Sequence, residues 1–60
     1  MKVNVFKTQC PVGTHVIDDK DRKGIVQKIS QDRAQALVLF KGGEKEWCQY
    51  YMLDFEKPNP

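Results

Sequence analysis

The sequence predicts an all-β domain, a small barrel of about five short antiparallel strands with one 3₁₀ turn near its C-terminal end. Three observations carry this expectation. The stretch GIVQKISQDRAQALVLF, residues 24–40, places two apolar, β-branched runs on either side of a polar tip, Ser30 to Arg33, which is the composition of a hairpin. Lys41-Gly42-Gly43-Glu44 is the strongest turn signal in the chain, because consecutive glycines reach positive φ without steric cost and a two-residue hairpin loop needs that. After EKEWCQ, the segment YYML is too short for a stable α-helix and suits a single 3₁₀ turn.

Taken in order, residues 1–7 alternate Val3 and Val5 with Asn4, which predicts a short N-terminal strand or extended arm over residues 1–9, ended by Cys10-Pro11. Gly13 permits a turn into the strand THVID, whose adjacent Val16 and Ile17 leave its inward face open. The charged run DDKDRK reads as a solvated loop closed by Gly24. In the central hairpin Val26 and Ile29 are the expected core positions, and their odd spacing implies a bulge. Across the turn Ala36, Val38 and Phe40 should face inward together, so Leu37 and Leu39 face outward. A last short strand is expected around DFEK, and residues 57–60 should be a frayed tail.

Length and composition bound the function. Sixty residues make one domain, 1–60, and a chain this short buries only about 60% of its unfolded surface. The N-terminus alternates instead of forming an apolar run, so a signal peptide is not expected, no membrane helix is expected, and a cytoplasmic location is the default. Ten Lys and Arg against eight Asp and Glu leave a net charge of +2 with the signs interleaved, which is not a nucleic-acid footprint. Cys10 and Cys48 are too few for a disulfide framework and read as reduced thiols, Cys48 buried opposite Trp47 and Cys10 partly exposed beside Pro11.

Four segments, VGTHVID, KGIVQKI, ALVLFKGGEKEW and YYML, spanning Val12 to about Phe55, resemble the SH3-like barrel group. Within it, Gly13, Val16, Gly24, Val26 and Ile29 resemble KOW domains, and Phe40, Trp47, Tyr50 and Tyr51 resemble Tudor domains; the outline is also similar to small photosynthetic ferredoxin-docking subunits. The resemblance implies a single SH3-like domain in which the end of the strand EKEWCQ and the turn after it flank the ligand groove.

The residues themselves offer two binding surfaces. Leu37, Leu39, Trp47, Tyr50 and Tyr51 form the expected partner-binding set, an apolar and aromatic face for another protein or peptide. With Glu44, Glu46 and Asp54 nearby, Trp47, Tyr50, Tyr51 and Phe55 would suit a cationic or proline-rich ligand, against the plainer reading that Trp47 and Phe55 serve the core. The alternative is nucleic acid on Lys20, Arg22, Lys23, Lys28, Arg33 and Lys41, which the interspersed acids disfavour. A homodimer is a further route by which so small a domain gains stability. The soft ligands His15, Cys10 and Cys48 lack paired zinc spacing, and Asp18, Asp19 and Asp21 lack the spaced oxygens of a calcium loop. No nucleophile–base order or phosphate loop is present, so no metal, no cofactor and no catalytic residue are expected.

Overall fold

A computed structural model describes residues 1–56, and the expected frayed tail, residues 57–60, lies outside the described residues. In chain order the elements are helix α1 (Val3–Gln9), strands β1 (His15–Asp18), β2 (Lys23–Ile29), β3 (Gln35–Phe40) and β4 (Lys45–Gln49), a 3₁₀ turn (Tyr50–Met52) and strand β5 (Leu53–Phe55). The strands form one antiparallel sheet in the order β4-β3-β2-β1-β5. The chain thus crosses from one edge of the sheet to the other to bring β5 beside β1, giving a small, barrel-like all-β domain.

The bulge implied by Val26 and Ile29 is present. Val26 pairs with Val38 and Lys28 with Leu37, so Gln27 is the extra residue, and Ile29 comes opposite the buried Ala36. One unpaired residue restores the inward face after the strand bends. In β3 the alternation is complete, with Ala36, Val38 and Phe40 buried and Leu37 and Leu39 on the other side. β1, ambiguous by pattern, turns Val16 and Asp18 inward and His15 and Ile17 outward.

The N-terminal strand or arm is corrected to helix α1. Phe6 of α1 and Cys10, the residue that follows its last turn, are 2% and 3% exposed within the same core cluster as Val16, Val26, Val38 and Leu53. Val3 and Val5 disfavour helix by roughly 0.5 kcal/mol each, whereas burying one phenylalanine ring supplies about 2 to 3 kcal/mol, so packing overrides the local pattern. The helix is only seven residues long, and its stability must come from this contact. The N-terminal amine also donates to the Leu53 carbonyl at 2.6 Å. Cys10 is accordingly a buried thiol, not a partly exposed one.

Two turns differ from expectation in detail. Phe40 N–H donates to the Glu44 carbonyl at 2.7 Å and Gly43 N–H to the Phe40 carbonyl at 3.0 Å, which encloses a three-residue loop, 41–43, where a two-residue loop was expected. Gly42 and Gly43 both hold positive φ, +115° and +96°. The run DDKDRK is not wholly solvated, because Asp18 is 5% exposed and its carboxylate closes the loop by accepting from the Lys20 and Arg22 backbone N–H groups at 3.0 and 2.7 Å.

Candidate functional site

The sheet has one covered side and one open side. Phe6 of α1 and the half-buried Tyr50 of the 3₁₀ turn pack on the inward face, with their ring centroids 6.2 Å apart. On the opposite face, strand pairing sets the side chains in rows. Trp47, Leu37 and Lys28 lie side by side across β4, β3 and β2, and Lys45, Leu39, Ile25 and His15 lie across β4, β3, β2 and β1. Ile17 of β1 lies between Lys23 and Asp54, and the Lys41 backbone N–H donates to the Lys23 carbonyl at 3.1 Å. The open face therefore carries an apolar patch of Ile25, Leu37, Leu39 and Trp47, with Lys23, Lys28, Lys41 and Lys45 around it. Trp47 is 51% exposed, which corrects the plainer expectation that it serves the core.

Most acids near the other end of β4 are committed to Arg22. Its Nε donates to Asp18 Oδ2 at 2.8 Å, its Nη2 lies 2.6 Å from Glu46 Oε2, and its guanidinium carbon sits 4.3 Å from the centre of the Phe40 ring. Burial alone pushes the Asp18 carboxyl up, but the hydrogen bonds from Arg22 and Lys20 outweigh it and hold the group below its ordinary value. Among the described residues no buried side-chain polar atom lacks a partner, so this cluster is a satisfied structural lock on the β1–β2 loop. Glu44, 3.8 Å from Arg22 Nη1, belongs to the same cluster.

Of the expected partner-binding residues, Leu37, Leu39 and Trp47 share the open face. Tyr50 belongs to the covered side, and Tyr51, 65% exposed, packs edge-on to it at 5.4 Å between centroids. The four aromatics Trp47, Tyr50, Tyr51 and Phe55 are thus divided, and Phe55 packs against the core. The six basic residues are divided as well. Lys20, Arg22, Lys23 and Lys41 lie at the β1–β2 end, while Lys28 and Arg33 lie at the far end of the hairpin, about 17 Å along β2 at ~3.3 Å per residue. Arg22 is engaged in the lock, and Lys23 Nζ lies 3.6 Å from Glu56 Oε1.

Ile25 and Lys45 were not anticipated as surface residues of the site. Their signal was the two-residue period that links Lys45 to Trp47 and separates Ile25 from the buried Val26. Beside Ile25 and Leu39 the face sinks into a cleft bounded by His15, Lys23, Lys41 and Glu56. Cys10 and Cys48 are free and buried, and burial raises both thiol pKa values. Among the described residues no three His, Cys, Asp or Glu side chains are placed to hold a metal ion, and no helix is long and apolar enough to cross a membrane. No family model, curated protein or solved structure matches the chain.

Proposed function

We propose that this domain is a non-catalytic protein-binding module, a small adaptor or accessory subunit, that engages its partner through the open face of the sheet. The observation that carries the reading is a half-exposed Trp47 set beside Leu37, with Leu39 and Ile25 in the next row. Contiguous apolar side chains on a small domain mark interaction surfaces, and tryptophan is enriched among the residues that dominate binding energy. Helix α1 packs on the other side through Phe6, so folding of the described residues leaves Trp47 exposed and Ile25, Leu37 and Leu39 half-buried on this face. Two buried, unpaired thiols fit a reducing compartment such as the cytoplasm.

The double replacement Leu37→Ser and Leu39→Ser tests the reading. Fully buried leucines would lose about 2 to 5 kcal/mol each on truncation, but these are half-buried, so the variant should stay within about 2 kcal/mol of the parent. Proteins retained by the immobilised parent domain should be lost from the folded variant. An unchanged set of retained proteins would refute the reading, as would a variant that no longer folds combined with a retained set unaffected by Trp47→Ala.

A further inference from the structure

The charges around the apolar patch point to the chemistry of its occupant. Lys28 stands in the row of Trp47 and Leu37, Lys45 in the row of Leu39 and Ile25, and Lys23 and Lys41 one step beyond. Neighbouring strands are about 4.8 Å apart and a two-residue step is about 6.6 Å, so each lysine backbone lies one position from a patch residue. The acids that strand pairing puts on this face are Asp54 and Glu56, at the β1–β5 side, while Asp21 and Glu44 border a cleft with Lys23 and Lys41 at its β1–β2 end. Glu56 lies 3.6 Å from both His15 Nδ1 and Lys23 Nζ. Among the described residues Lys28, Lys41 and Lys45 have no acid within ion-pair distance. Four lysines against Asp54 and Glu56 leave this face at +2, equal to the net charge of the whole chain, while Asp18, Glu44 and Glu46 are drawn to Arg22.

Resting on the protein-binding reading, we propose that the occupant is an acidic amphipathic segment of another protein, with its apolar stripe on Ile25, Leu37, Leu39 and Trp47 and its Asp and Glu side chains among the lysines. The patch spans β4 to β2, two strand spacings or about 10 Å, close to the width of one α-helix. A second copy of this chain is the poorer occupant, because face-to-face pairing sets lysines against lysines. Single-stranded nucleic acid is poorer too, since it uses several aromatic platforms and Trp47 is the one aromatic side chain that strand pairing puts on this face among the described residues.

The test uses three synthetic amphipathic helices that share one leucine stripe and differ in their flanks, Glu, Gln or Lys. Binding is read from the fluorescence of Trp47, the only tryptophan, and by calorimetry. The Glu-flanked helix should bind about tenfold tighter than the Gln-flanked one, equivalent to about 1.4 kcal/mol, and the difference should shrink as salt rises. The double reversal Lys28→Glu and Lys45→Glu should remove the preference for Glu flanks while leaving the fold intact. Equal binding of all three helices would overturn the charge inference and leave the protein-binding reading standing. No saturable binding of the Glu-flanked helix, or tighter binding to oligouridine or to phosphatidylserine vesicles, would overturn it as well. The protein-binding reading fails separately, through an unchanged set of retained proteins in the leucine variant.

Discussion

Gly24→Ala should destabilise the domain more than any other single methyl added to its glycines. Gly24 is buried at the start of β2, opposite Phe40. An added Cβ would lie 2.5 Å from Val38 Cγ1, 2.8 Å from the Leu39 carbonyl oxygen and 3.1 Å from Phe40 Cδ1. Ordinary carbon–carbon contact is about 3.5 to 4.0 Å, so the first contact is short by at least ~1 Å. The second involves backbone that cannot turn aside without parting β2 from β3. Overpacking of this kind costs about 1 to 3 kcal/mol, and the backbone contact argues for the upper end. Replacing glycine also restricts the unfolded chain, which returns about 0.4 to 1 kcal/mol. The net loss is about 2 kcal/mol, or roughly 8 to 16 °C in melting temperature for a domain of this size. Urea unfolding followed by circular dichroism should show a lower midpoint with an unchanged slope. Combining the change with Val38→Ala should give a double variant less destabilised than the sum of the singles, because the first clash is removed. A midpoint equal to or above that of the parent, or strict additivity with Val38→Ala, would refute the close approach of the two strands.

Two further outcomes follow from the turns and the lock. Gly43→Val should lower stability by about 1 to 2 kcal/mol, since a β-branched residue resists the φ of +96° even though open space surrounds the site; an unchanged unfolding midpoint would show that the loop relaxes freely. The Asp18 carboxyl is held below its ordinary value, so the unfolded chain takes up the proton first, near pH 3.9. Its contribution is present above that pH and is lost as pH falls through the lower, folded value. Asp18→Asn should therefore cost about 2 kcal/mol near pH 7 and flatten the loss of melting temperature below about pH 4. An equally steep acid decline in the variant would show that other carboxylates, such as Asp32, whose pKa is lowered first by Ser30, account for it.

What the amino-acid sequence determined by itself is the local geometry of the β2–β3–β4 meander and its outward leucines. Strand alternation carries its own ruler, so Ala36, Val38 and Phe40 had to share one face and Leu37 and Leu39 the other, and the spacing of Val26 and Ile29 could be reconciled only by an extra residue, Gln27. The doubled glycine and the YYML segment likewise act through nearest neighbours. The tertiary structure alone decided the rest, because it depends on contacts between distant positions. Val3 and Val5 are too short a sample to separate a period of two from one of 3.6, and only the place of Phe6 and Cys10 over the sheet selects helix. Nothing local to DDKDRK reveals that Asp18 is buried, since its partner Arg22 is held in place by Glu46 and Phe40 from across the sheet. The same long-range pairing separates Trp47 from Tyr50 and Tyr51 although only a few residues lie between them. It also gathers Lys28, Lys41 and Lys45 from three segments around one patch, because strand register decides which side chains become neighbours.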